Sequence, residues 1–145
     1  MTMLRDTAIK EIMVKNIITM QINEPFSRVE EKLRKNRIRH LPVVDHKNCL
    51  VGIVTQRDLY HAMAPRETES GDYYDKMQLD SLILEHHMTK DPLSLKPENT
   101  LAEVIDIMAT RKFGCIPIVN DGKELVGIVT QIDVLKFIAK WLSIR

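Results

Sequence analysis

Two stretches of this chain place a hydroxyl and a carboxylate at fixed spacing where a strand gives way to a helix. They are Gly52–Asp58 and Gly127–Asp133, each reading Gly-Ile-Val-Thr-Gln-x-Asp. In each, Thr55 or Thr130 ends an apolar, β-branched run, and Asp58 or Asp133 falls in the first turn of the helix expected next. The N–H groups of a first helical turn have no partner inside the helix, and that end favours anions such as phosphate. A carboxylate there can accept two hydrogen bonds from a ribose diol. The same Thr-x-x-Asp spacing is also that of a capping box, in which the acid reaches back to the N-cap backbone. Duplication does not separate the two readings, because it copies caps as well as binding sites.

The other reactive residue types are scattered. His86 and His87 are adjacent and so point in different directions on a helix or a strand, while His40, His46 and His61 lie apart in the chain. No metal centre is expected. Cys49 and Cys115 fit neither a Cys-x-x-Cys nor a zinc-ligand pattern. With no base fixed near either, they read as core or strand-edge thiols. Met13, Met20, Met63, Met88 and Met108 read as core filling. Lys32, Arg34, Lys35, Arg37 and Arg39 form a basic run that reads as a solvated helix face, without interleaved aromatic residues to stack on bases. No nucleophile–base pair is visible, so neither an enzyme nor a catalytic cofactor is expected.

An internal repeat positions the two motifs. Leu50–Gln56 recurs residue for residue as Leu125–Gln131. The same offset lays Met13 on Met88, Lys15 on Lys90, Val29 on Val104, Pro42 on Pro117, Val44 on Val119 and Asp58 on Asp133. The copies span residues 9–63 and 84–141. In the first, Phe26, Val29 and Leu33 fall at helical spacing behind Pro25. In the second, Leu101, Val104, Ile105 and Met108 make the stripe, and Thr100 to Glu103 fits a capping box. Leu41–Asp45 with Leu50–Thr55, and Ile116–Asn120 with Leu125–Thr130, read as paired strands, the second pair around an Asp121-Gly122 turn. Helices Gln56–Met63 and Gln131–Trp141 follow. Each copy therefore predicts a βαββα unit. One such unit has too little core to stand alone, so two tandem units of an α/β fold are expected, packed sheet against sheet with pseudo-two-fold symmetry. Residues 64–81, with Pro65, Gly71 and many charges, read as a charged linker, partly helical around Tyr73–Leu82. The alternative for that segment is a dimer contact through Tyr73, Tyr74 and Met77.

Composition narrows the function classes. The 145 residues include 21 Lys+Arg and 20 Asp+Glu for a net charge of +1, which argues against a nucleic-acid partner. With 44% hydrophobic residues the chain is not of disordered type. No apolar run approaches the ~18–20 residues of a membrane span. Residues Met1 to Asp6 carry no apolar signal core, so a reduced, cytoplasmic protein is expected.

These motifs resemble a tandem pair of cystathionine-β-synthase-type (CBS) domains, the Bateman module. The residues that carry the resemblance are Arg39–Asp45 with Gly52–Asp58, then Cys115–Asn120 with Gly127–Asp133. It covers nearly the whole chain, and the chain is similar to stand-alone bacterial pairs, including AcuB-like proteins. The resemblance implies regulation rather than catalysis. Family modules bind AMP, ADP, ATP, S-adenosylmethionine and similar ligands in the cleft between units, pair into homodimers, and signal to an effector protein. Helix residues Met63, Phe137, Ile138, Trp141 and Leu142 are the apolar set expected to bury such a dimer contact.

Carried over residue by residue, one implied ligand site joins Thr130 and Asp133 to Asn16, Ile18, Ile38, Arg39, His40 and Pro42. The other joins Thr55 and Asp58 to Asp91, Leu93, Phe113, Gly114, Cys115 and Pro117. In both, the aspartate binds ribose hydroxyls, the threonine approaches ribose or phosphate, and the apolar residues and backbone amides hold adenine. The first offers Arg39 and His40 to a phosphate. The second offers Gly114 and Cys115, and has Asp91 where the first has Asn16. Arg57 beside Asp58 could compensate, but its repeat counterpart is Ile132. The alternative to a sensor is a ligand-free dimerisation or scaffold module, in which both Thr-x-x-Asp pairs are caps only.

Overall fold

The computed structural model describes residues 3–143, so Met1 and Thr2, the start of the stretch read for an export signal, lie outside the described residues. The chain forms two compact bodies, one of Ile18–Pro92 and one of Leu93–Arg145 joined by the N-terminal segment through Ile17. Both are α/β, as the repeat predicts, but each body takes its leading segment from the other copy.

The body of residues 18–92 contains β1 (Met20–Gln21), α1 (Ser27–Asn36), β2 (His40–Val44), β3 (Leu50–Thr55), α2 (Gln56–Ala62), β4 (Arg66–Thr68), β5 (Gly71–Tyr73), α3 (Lys76–Asp80) and β6 (Thr89–Lys90). Its main sheet runs β1-β2-β3-β6, with β1 parallel to β2 and the other pairs antiparallel. Phe26, Val29 and Leu33 close over this sheet at the spacing read from sequence, packing with Met20, Leu41, Val43, Val54 and Leu59. Each such side chain removed from water contributes roughly 1.5–3 kcal/mol. The β2–β3 turn is held by Asp45, whose Oδ1 accepts from the N–H of Lys47 (2.8 Å) and Cys49 (3.0 Å).

Residues 64–81 are more than a tether. They fold as the exposed β4–β5 hairpin followed by α3, with Leu79 buried in the core and the Ser27 N–H donating to Asp80 Oδ1 at 3.0 Å. Of the basic run, Arg34, Lys35, Arg37 and Arg39 are exposed, as a solvated face requires, and only Lys32 is withdrawn from water. Arg34 pairs with Glu30 (2.7 Å), Lys35 with Glu31 (3.1 Å), and Lys32 with Glu24 (3.1 Å) and the Thr19 carbonyl (2.6 Å).

The second body contains α4 (Leu101–Arg111), β7 (Cys115–Val119), β8 (Leu125–Thr130) and α5 (Gln131–Trp141). β7 and β8 form an antiparallel hairpin over Leu101, Val104, Met108, Val129 and Val134. Ile105, placed in the apolar stripe from sequence, is 38% exposed, and Ile107 packs on the core instead. The expected Thr100–Glu103 box is half made: Thr100 accepts from the Glu103 N–H (3.3 Å), but the Glu103 carboxylate is taken by the Asn99 amide. The hairpin turn is organised by Asn120, which accepts from the N–H groups of Gly122 (3.0 Å) and Glu124 (2.9 Å), with Lys123 rather than Gly122 at positive φ (65°).

The exchange of leading segments explains the repeated glycine. Val14 exchanges both backbone bonds with Ile128 (2.9 and 3.0 Å), and Ile9 is fully buried in the second body's core. In the first body, Thr89 and Lys90 pair with Ile53 and Gly52. Met88 therefore lies on Gly52, where a Cβ would stand 2.6 Å from the methionine sulfur, and Met13 covers Gly127 in the same way.

Candidate functional site

Each Thr-x-x-Asp pair is positioned by the hairpin that precedes it. Thr55 is the cross-strand partner of His40, and the Gln56 N–H donates to the Arg39 carbonyl at 3.0 Å. Thr130 is likewise the partner of Cys115, and the Gln131 N–H donates to the Gly114 carbonyl at 3.1 Å. The chain leaves the strand at an extended threonine (φ −122° and −109°) and turns directly into α2 or α5.

Both capping boxes form. Asp58 Oδ2 accepts from the Thr55 N–H at 2.9 Å, and Thr55 Oγ1 accepts from the Asp58 N–H at 3.1 Å. In the second copy Asp133 Oδ2 accepts from both the N–H (2.8 Å) and the hydroxyl (2.9 Å) of Thr130, whose Oγ1 accepts from the Asp133 N–H at 3.3 Å. An ionised carboxylate has two oxygens and about four lone-pair sites. A box that engages Oδ2 thus leaves the carboxylate with further acceptor capacity, so cap and ligand contact are compatible. All four side chains are half-buried.

Arg39 and His40 share a body with Thr55 and Asp58, as do Ile18, Ile38, Pro42 and Asp91. Asn16, Leu93, Phe113, Gly114, Cys115 and Pro117 share the other with Thr130 and Asp133. Geometry within a body therefore joins Arg39–His40 to Thr55, and Phe113–Cys115 to Thr130. The pairings implied by the resemblance draw residues from both bodies. Ile18, Phe113, Arg39, Asn16 and Asp91 are exposed, whereas Pro42 and Pro117 are buried within β2 and β7. Asp91 takes a left-handed backbone (φ 45°), and its N–H donates to the Val51 carbonyl at 3.1 Å.

Burial pushes the Cys115 thiol up to about 12, and the Asp133 charge adds to the effect, so this thiol is protonated and a poor nucleophile. Among the described residues no group of three or more His, Cys, Asp or Glu side chains could hold a metal ion. A groove of about 400 Å³ beside Arg39, walled in part by Tyr60, Asp72 and Tyr74, was not legible in the sequence. Its walls come from segments far apart in the chain, and Arg34, Arg37, Ile38, Arg39 and Tyr74 were singled out from sequence only in other roles.

His40 gives the site a pH dependence. Burial, then the neighbouring Arg39, hold its imidazole below the usual histidine range, and Asp58 acts in the opposite direction. The unfolded chain thus takes up a proton near pH 6.5 more readily than the folded one. The stability contributed is present above that value and is lost as the pH falls through the lowered folded value. Urea titrations of the wild type at about pH 7.5 and about pH 5.5 should show this loss, and His40→Gln should reduce it. An unchanged pH dependence in that variant would show that His40 is not its source.

The comparisons with known proteins agree with this fold. The family model described as CBS domain matches residues 9–65 and again 83–140. The CBS domain pair of protein MJ0100, solved in complex with 5′-methylthioadenosine and S-adenosyl-L-methionine, is similar at 27% identity and a TM-score of 0.75, covering 93% of this chain and 98% of that one. A protein assigned to acetoin utilization (AcuB) from Vibrio cholerae is similar at 29% identity and a TM-score of 0.75, covering 94% and 93%. The inosine-5′-monophosphate dehydrogenase of Korarchaeum cryptofilum is 34% identical over 125 residues, which are 86% of this chain. The chain spans only 23% of the length of that relative. No helix among the described residues is long and apolar enough to cross a membrane.

Proposed function

Because this chain belongs to the CBS domain family, as a tandem pair of such units, we propose that it is a cytoplasmic regulatory module that binds an adenosine-containing ligand and passes that state to a partner protein. The observation that carries the reading is the duplicated Thr-x-x-Asp motif, built twice at a helix start with acceptor capacity to spare. The likeness to the MJ0100 pair supports an adenosyl ligand, either S-adenosylmethionine or a relative such as AMP or ATP. In this reading Thr130 and Asp133 work with Asn16, Ile18, Ile38, Arg39 and His40, and Thr55 and Asp58 work with Asp91, Leu93, Phe113, Gly114 and Cys115. The aspartates take ribose hydroxyls, while Arg39 and His40 meet the phosphate or other anionic end. A ligand that binds one arrangement of the two units more tightly shifts the population towards it.

The module regulates without catalysis. A thermal-shift screen with 5′-methylthioadenosine, S-adenosylmethionine, AMP and ATP should raise the Tm with at least one of them, because a ligand selective for the folded state stabilises it. Chromatography of the same samples should return the ligand unchanged. No shift with any of these compounds, or turnover of ATP to ADP, would contradict the reading.

A second reading has one specific observation in its favour. Both capping boxes are fully formed, as expected of a scaffold module in which threonine and aspartate are caps only.

Under either reading we propose a homodimer. The exposed apolar residues of α5 and its end are Ile132 (57%), Leu135 (61%), Trp141 (57%) and Leu142 (53%). Phe137 and Ile138, expected in that contact from sequence, pack instead on their own core, as does Met63 in its body. Light scattering at micromolar concentration should report about twice 16.8 kDa. A particle near 16.8 kDa would contradict the dimer.

A further inference from the structure

The arginines at the end of α1 differ in their partners. Arg34 is neutralised by Glu30 at 2.7 Å, but neither Arg37 nor Arg39 has a carboxylate within ion-pair distance among the described residues. Both open on one groove of about 400 Å³ in the body of residues 18–92. Gln56 and Tyr60 of α2 form another wall, and Asp72 and Tyr74 form a third. That third wall belongs to the segment between the repeats, so the second copy has no counterpart of it. The segment is anchored over the helices by buried Leu79 and by the Ser27–Asp80 bond, which a simple tether would not need. Burial, then the charges of Asp72, Glu30 and the Tyr60 hydroxyl, holds the Tyr74 phenol above its usual range, in keeping with the convergence of these groups.

We propose that this groove binds a small aromatic monophosphate ester, with the phosphate on Arg37 and Arg39 and the ring against Tyr60 and Tyr74. Guanidinium forks match phosphate oxygens bidentately, and tyrosine rings offer stacking faces at small conformational cost. Two unpaired arginines opposed by Asp72 leave one net positive charge, which suits a single phosphate better than a polyphosphate chain. The volume lies within the roughly 300–1,000 Å³ of small-molecule sites. The groove is distinguished from the adenosyl sites by Arg37, Tyr60 and Tyr74, and shares Ile38 with one of them. Arg39 is shared as well, so the test leaves it unchanged.

Amide correlation spectra of the full chain, titrated with phenyl phosphate, test the proposal. Saturable shifts are expected at Arg37, Tyr60 and Tyr74, with tighter binding than phenol or inorganic phosphate gives. They should persist in the Asp58→Asn/Asp133→Asn double variant, so that failure of the adenosyl sites and failure of the groove are read separately. Arg37→Gly removes the fork at a backbone φ of 52°, which glycine adopts without strain, so the fold is retained. That variant should bind at least about tenfold more weakly, and Tyr74→Leu should also bind more weakly. Absence of saturable shifts in the groove, unchanged affinity in Arg37→Gly, or phenyl phosphate binding no tighter than its fragments would overturn the proposal.

Discussion

Asp133→Ala is expected to weaken the tighter adenosyl-ligand binding event by about 10- to 150-fold, and Asp58→Ala is expected to leave that event nearly intact. A hydrogen bond to a charged group contributes about 1.5–3 kcal/mol, which sets the range. The direction comes from the proposed pairing of Asp133 with Arg39 and His40, which supplies a cation to an anionic ligand. The partner site offers neutral Gly114 and Cys115, with the Cys115 thiol held protonated, and its proposed set includes the acid Asp91. Asp133 also accepts both the N–H and the hydroxyl of Thr130, so its loss removes a helix cap worth ~1 kcal/mol. Folding must therefore be followed in the same samples as calorimetric binding. If Asp58→Ala abolishes the tight event and Asp133→Ala does not, the assignment of the two sites is reversed.

Gly127→Ala is expected to destabilise the protein by about 1–3 kcal/mol, because the new methyl group enters space held by the Met13 side chain. Gly127 has no positive φ, so the change also reduces the entropy of the unfolded chain, which offsets the loss by about 0.4–1 kcal/mol. For a chain of this size each kcal/mol lowers Tm by about 2–4 °C. The test is a double-mutant cycle in urea. Met13→Ala makes room, so Gly127→Ala should cost less in that background than in the wild type. Strictly additive losses would show that Met13 and Gly127 do not meet.

That contact marks where sequence reading stops. The hairpins and main helices were legible because their signals are local: β-branched runs, a 3.6-residue stripe and a threonine at the strand end. The offset also equates Met13 with Met88, but periodicity cannot say which copy's sheet each one joins. Only the pairing of Val14 with Ile128, and of Thr89 with Ile53, reveals the exchange. The second hairpin turns at Asp121-Gly122 as read from sequence, with the Lys123 N–H donating to the Asn120 carbonyl at 3.0 Å; the left-handed residue is Lys123 rather than the glycine, which the dipeptide signal does not show. Charge density made residues 64–81 read as a charged linker, with its helix around Tyr73–Leu82 present as α3; the apolar residues that anchor it, Leu79 and Tyr74, carry no periodic signal.

For the candidate site, the duplicated threonine and aspartate were legible, together with the ambiguity of their role. The structure makes both caps real and leaves each carboxylate able to accept more. The groove beside Arg39 was not legible, since its walls are brought together only by tertiary folding.

The most direct test of the adenosyl-sensor account is calorimetric titration of the Asp58→Asn/Asp133→Asn double variant beside the wild type, using the ligand that gives the largest thermal shift. Asparagine keeps an acceptor oxygen for each threonine N–H, so the caps survive while the charge is removed. The account predicts saturable binding to the wild type and loss of at least about tenfold in affinity in the folded double variant. Equal binding by the two proteins, or no binding of any adenosine compound by the folded wild type, would contradict it.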